Sequence, residues 1–352
     1  MSFNINNIIK IDLFSYEIPY NKELFMMGSK SLSRKGLFLR VQDTNNNIFW
    51  GETSPFSGLH KENINDLIIY MNSDNIIKDL DILSYNNTCI APPSLIIAYD
   101  QILFNSTINH SLISDININI CPLLSGDYHD IIYKCDSLNQ LDICSIKLKL
   151  GRNKLNNDIK LFNIIENKLN NKIKIRIDLN RSWTYKEAKK FSNNVNISQI
   201  DYIEEPLINI DELNEYYDEF RIALALDETI YQTQEYSNLL RYNGCKSFII
   251  KPSLIGGINN IAKLKNIANE NNINLIFSSA FETGYSLAYY IYLSSIYSDI
   301  NIAQGFDTYR HLSYDILDNK LEYIKYNISV NKAVKAMNTI SESKMTLVKN
   351  IL

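Results

Sequence analysis

Residues 145–151 read SIKLKLG, an apolar run interrupted by Lys147 and Lys149. Side chains of a strand alternate between two faces, so Ile146, Leu148 and Leu150 share one face and the two ammonium groups share the other. Taken alone, such a strand would have one wet face. Its neighbours decide otherwise.

From residue 117 onward, short apolar runs alternate with longer amphipathic ones. The short runs are NINICPLL (117–124), CSIKLKL (144–150), IKIRIDL (173–179), IDYIEEP (200–206), IALALDE (222–228), SFIIKP (247–252), INLIFSS (273–279) and NIAQGF (301–306). Helical stretches such as KLNNDIKLFNIIENKL and GINNIAKLKNIANENN lie between them. A strand–helix beat implies a parallel sheet with right-handed crossovers, and eight repeats imply a closed barrel. Upstream, IIKIDLFSYEI, KGLFLRVQDT and NNIFWGETSPF read as an antiparallel sheet, followed by helices at 62–72 and 93–106. The expected fold is therefore α/β: a (β/α)8-type barrel at 111–320 with an N-terminal α+β capping domain at 1–110. The tail at 321–352, which contains KLEYIKYNISV, is expected to pack back on the capping domain and complete it.

Composition narrows the function. The 352 residues are 45% hydrophobic and 21% charged with a net charge of −4, which suits a globular protein and gives no basic stripe for nucleic acid. No glycine-rich nucleotide loop is present. Five scattered cysteines without a Cys-x-x-Cys pair argue against a zinc site or a disulfide framework. No signal peptide and no membrane-length apolar run is read, so the cytoplasm is expected. The abundance of Asn, Ile, Lys and Tyr fits an A+T-rich genome, and for an organelle-encoded chain the compartment would be the plastid stroma.

In barrels of this kind the active site lies at the C-terminal ends of the strands. Those ends carry Lys147 and Lys149, then Asp178, then Glu204 with Glu205, then Asp227 with Glu228, then Lys251. Charges at that level are largely withdrawn from water and need partners. An acidic residue after a strand often caps the next helix, and Glu205 and Glu228 divide evenly between that role and support of a site. Asp178, Glu204 and Asp227 at consecutive ends, with no His or Cys nearby, favour a hard divalent cation such as Mg²⁺, with Mn²⁺ as a substitute.

The segments KLKLG, RIDLNRSW, YIEEPL, LDET and IIKPSLIGG together resemble the enolase superfamily, in its muconate-lactonizing subgroup. RKGLFLRV (34–41), GETSPFSGLHKE (51–62) and QGFDTYRHLSYDIL (304–317) are similar to the o-succinylbenzoate synthase family within it. The resemblance implies Lys149 as general base, Lys251 facing it across the substrate, and Lys147 near the substrate carboxylate. It implies Asp178, Glu204 and Asp227 as Mg²⁺ ligands, and Arg176, Asn180, Ser278, Ser279 and Glu282 as substrate-lining residues. The run SSAFETGYS departs from the family pattern at 283–285. The implied activity is a Mg²⁺-dependent dehydration next to a carboxylate; dipeptide epimerases, N-acylamino acid racemases and cycloisomerases use the same residues. The expected partner is a small-molecule carboxylate, with no nucleic acid and no membrane, and the sequence fits a monomer and a homo-oligomer equally.

Overall fold

The computed structural model describes residues 4–26, 29–85, 87, 89–233 and 235–352. Strands β1 (Ile8–Met26), β2 (Ser29–Asp43) and β3 (Ile48–Thr53) form an antiparallel meander. Both of its faces are covered, which explains the nearly unbroken apolar runs. Ile11, Leu13, Leu37, Leu39 and Val41 pack under the N-terminal helices, whereas Phe14, Tyr16, Ile18, Phe38 and Trp50 belong to the core shared with the barrel.

The helices are Ile64–Tyr70, Ser73–Ser84 and Pro93–Thr107. The first is closed by a capping box from Asn63 and Asp66. The second is absent from the sequence reading, although Ile76, Leu80 and Leu83 are buried along it at helical spacing. The third lies so close to β3 that a Cβ on Gly51 would strike the Ala98 carbonyl. From that third helix Asp100 reaches the barrel, where its Oδ2 accepts from the Ile258 N–H at 2.6 Å.

Burial pushes the Asp100 carboxyl up from 3.8 to about 7. A carboxyl with a higher pKa folded than unfolded retains its proton in the native chain after the unfolded chain has lost it. Its contribution to stability is therefore complete below pH 4 and falls as pH rises through 7. Asp100→Asn keeps an acceptor without the charge. It is expected to stabilise the protein at pH 8 by a few kcal/mol and to change little at pH 4, as measured by denaturant melts at both pH values.

The barrel strands are β4 (Asn117–Asn119), β5 (Leu123–Leu124), β6 (Ser145–Lys149), β7 (Lys174–Asp178), β8 (Ile200–Glu204), β9 (Leu224–Leu226), β10 (Cys245–Ile250) and β11 (Asn274–Phe277). Strands β5 to β11 pair in parallel in sequence order. The stretch read as one first strand is divided. Pro122 has no N–H to give a ladder, and β4 pairs antiparallel with β12 (Asn327–Ser329) instead. The predicted eighth strand is a bridging segment rather than a regular strand. Gln304 N–H donates to Asn119 O at 2.7 Å and Gly305 N–H to Phe277 O at 2.7 Å, which joins the first strand region to β11 and closes the ring. Inside, Tyr202, Ala225, Ile249 and Ile276 form a separate apolar cluster. This plug lies below the charged strand ends.

The last strand, β13 (Thr346–Asn350), pairs antiparallel with β1, with Asp12 opposite Asn350, and completes the capping sheet in the order β13-β1-β2-β3. Among the described residues no helix is long and apolar enough to cross a membrane.

Candidate active site

The parallel register places Lys149 beside Asp178 and Asp178 beside Glu204. Each of these side chains faces the barrel interior at the carboxyl end of its strand, so the strands themselves assemble the cluster. Lys147 Nζ lies 2.7 and 2.9 Å from the two Glu204 oxygens and 2.9 Å from Asp178 Oδ2. Lys149 Nζ lies 3.2 Å from the same Asp178 oxygen. Two strands further on, Lys251 Nζ lies 2.5 Å from Asp227 Oδ2.

The Asp178, Glu204 and Asp227 carboxylates are nearly inaccessible, and the lysines are 11–19% exposed. Burial works against the charge on Lys147, but Asp178 and Glu204 outweigh it and hold the ammonium well above its ordinary value. Burial likewise opposes charge on Asp178, where Lys147 and Lys149 prevail and keep the carboxyl well below the usual range. For Glu204, burial and the neighbouring Asp178 win and push the carboxyl up to about 8. Lys251 is held charged against burial by Asp227 and Glu228.

Within this cluster Asp178 Oδ1, Asp227 Oδ1 and Glu228 Oε2 are buried without a hydrogen-bond partner. An all-oxygen set of anionic acceptors on neighbouring strands fits a hard divalent cation. As the side chains stand, no three carboxyls among the described residues converge closely enough to hold an ion. Lys147 stands between Asp178 and Glu204, and Lys251 holds Asp227. A divalent cation held by these carboxyls would make the local field more positive, and a carboxylate ligand would then meet a favourable field.

The other expected site residues separate into two groups. Asn180 lies beside the cluster and donates to Glu228 Oε1 at 2.9 Å. Ser278 Oγ donates to Gly305 O at 3.2 Å, and Ser279 Oγ is 2.5 Å from Thr308 Oγ1, both at the exit from β11. Arg176 turns away from the cluster. Its guanidinium pairs with Asp201 at 2.9 Å, donates to Ala303 O at 2.6 Å and lies over the Tyr202 ring, towards the entering ends of the strands. Glu282 is also engaged elsewhere. It accepts from Ser253 Oγ at 2.8 Å and from Ala280 N–H at 2.5 Å, in the seam crossed by Arg34 Nε on its way to Phe281 O.

The departure at 283–285 has a local cause. Thr283 Oγ1 donates to Glu52 Oε2 at 2.7 Å, Gly284 N–H donates to Asp315 Oδ1 at 3.0 Å, and Tyr285 OH donates to Trp50 O at 2.6 Å. A Cβ on Gly284 would collide with the Asp315 carboxylate. These residues join barrel to capping sheet. The buried Glu52 at their centre appears in the sequence only as part of a motif, because Thr283 and Ser286, which it accepts from, lie more than 200 residues away; Tyr16 OH also donates to it.

The enolase C-terminal domain-like family matches residues 136–334. The chain is 32% identical to the chloroplastic protein PHYLLO of Arabidopsis thaliana over 226 residues, which is 58% of this chain but only 13% of PHYLLO. It is 25% identical to the o-succinylbenzoate synthase of Aliivibrio salmonicida over 303 residues, 84% of this chain and 89% of the synthase. Among solved structures it is similar to a dipeptide epimerase from Cytophaga hutchinsonii complexed with Mg and D-Ala-L-Val. The TM-score is 0.77 at 18% identity, over 92% of this chain and 93% of that one, a likeness of fold. Matched over more than half its length and built as a capped barrel, the chain belongs to the enolase superfamily.

Proposed function

We propose that the protein is an o-succinylbenzoate synthase, which removes water from 2-succinyl-6-hydroxy-2,4-cyclohexadiene-1-carboxylate in menaquinone or phylloquinone biosynthesis. The observation that carries this reading is the set of three buried carboxyls flanked by Lys149 and Lys251 on five successive strand ends. The likeness to named synthases over most of the chain supports the choice of substrate.

The substrate proton to be removed lies α to a carboxylate, so its loss creates an enediolate with a second negative charge. Asp178, Glu204 and Asp227 are the residues that would hold Mg²⁺, and the ion when bound supplies the charge to offset that build-up. Lys149 Nζ takes the α-proton as an amine and becomes an ammonium. Lys251 keeps its proton, held by Asp227, and adds a fixed positive charge. The C–O bond to the β-hydroxyl then breaks, the electron pair of the former C–H bond completes the aromatic ring, and the Lys149 ammonium returns its proton to the departing hydroxide. One residue thus serves as base and acid, and the products are o-succinylbenzoate and water.

A dipeptide epimerase or N-acylamino acid racemase would use the same two lysines in turn, and the fold likeness to an epimerase makes that the control. The test supplies the cyclohexadiene acid with Mg²⁺ and follows aromatisation in the ultraviolet, with racemisation of an N-succinylamino acid measured in parallel. Aromatisation at rates well above racemisation is expected. Racemisation without aromatisation would replace the reading with its alternative.

A further inference from the structure

Beside the carboxylate cluster lies a second ionic group that touches none of its side-chain oxygens. Arg181 follows Asp178 by three residues and Glu205 follows Glu204 directly. Arg181 Nε donates to Glu205 Oε2 at 2.7 Å, one terminal nitrogen to Thr229 Oγ1 at 2.8 Å and the other to Gln232 Oε1 at 2.7 Å. The Glu205 side chain is fully buried. Its Oε1 accepts from the backbone N–H of Asp227 at 2.9 Å and of Thr229 at 2.8 Å, and its Oε2 also accepts from Thr229 Oγ1 at 3.0 Å.

The backbone repeats the connection. Arg181 N–H donates to Glu205 O at 2.7 Å, Leu179 N–H to Glu204 O at 3.2 Å, and Glu205 N–H to Ala225 O at 3.1 Å. Three non-glycine residues here hold left-handed backbone: Asn180 at φ 45°, Arg181 at 57° and Glu205 at 43°. Such conformations persist only where the surroundings enforce them, and they gather at functional sites. At Arg181 and Glu205 the hold comes from this pair, and at Asn180 from Glu228. The chain is pinned next to Asp178, Glu204 and Asp227, where Asp178 Oδ1 and Asp227 Oδ1 have no hydrogen-bond partner.

We infer that Arg181 and Glu205 form a positioning clamp which sets the mutual geometry of the three carboxylates for a divalent cation. The inference rests on the reading of those carboxylates as metal ligands. Arginine suits the role because a planar fork can hold three acceptors at once, which a lysine ammonium on a flexible stem cannot do in the same plane. Removing residues that orient metal ligands commonly weakens affinity by about 10–100-fold.

The test is calorimetric titration of the full-length, substrate-free protein with Mg²⁺, well below the melting temperature of each variant, together with that melting temperature. Arg181→Ala and Glu205→Gln are each expected to raise the Mg²⁺ Kd by about 10–100-fold. The double variant should bind within about threefold of the weaker single one, because the two residues act as a unit. Arg181→Lys should remain close to Arg181→Ala. If Arg181→Ala does not fold, Thr229→Val removes the hydroxyl that links both partners and should still weaken Mg²⁺ severalfold. A pair that only stabilises the barrel would lower the melting temperature and leave Kd unchanged in the folded variants, which overturns the clamp. A wild-type protein that binds no Mg²⁺ overturns the metal reading beneath it, so the two failures are distinct.

Discussion

Lys149→Ala is expected to lower kcat for the dehydration by about 10³-fold or more, while Mg²⁺ affinity stays within a few-fold of wild type. General base catalysis by a positioned side chain contributes about 10²–10⁴-fold, and here the same nitrogen also returns the proton. Structural damage should be slight. Lys149 makes one ion pair, to Asp178 Oδ2, and that oxygen keeps Lys147 at 2.9 Å after the change. Lys149→Arg separates base from charge, since it restores a cation that does not release its proton, and it should be as inactive as the alanine variant. Kinetics with Mg²⁺ calorimetry decide the matter. Turnover above a tenth of wild type in either variant would remove Lys149 from the base role.

Asp227→Asn should act on the metal. The substitution removes one negative charge from the ligand set but leaves the backbone N–H of residue 227 bonded to Glu205, so the local chain is preserved. A Mg²⁺ Kd about 100-fold weaker is expected, because charge count largely sets the affinity of an all-oxygen site. Lys251 also loses its 2.5 Å partner. The two effects separate in a titration of rate against Mg²⁺: saturating metal should recover most of kcat if Lys251 needs only its own charge, and little if it needs Asp227 to hold it. Unchanged Mg²⁺ affinity would exclude Asp227 as a ligand.

The parts of the fold that were legible in the sequence are those set by local repetition. Strands β6 to β10 announce themselves as short apolar runs with charges at the exit, β11 as an apolar run alone, and inward parity follows from a period of two. The first and eighth strands were less legible because their pairing depends on Pro122 and on a segment that bridges both neighbours without forming a ladder. Parity also places Arg176 inside the barrel but cannot say which way a long side chain turns. The Ala303 carbonyl that draws it downwards is 127 residues distant. Lys147 illustrates the same limit. Its inward position is plain from SIKLKLG, but its engagement with both Asp178 and Glu204 needs the register of three strands.

The antiparallel pairing of β13 with β1 has a consequence for the order of assembly. Ser15 and Thr346, in contact across that pair, are separated by 331 residues, and the whole barrel lies between them in sequence. Contacts of such long range form slowly because the intervening chain must first be organised. During synthesis every barrel strand emerges before the edge strand exists. The barrel can therefore condense while the capping sheet still presents an open β1 edge, and that edge is the place where a nascent or partly unfolded chain is most exposed to pairing with another copy.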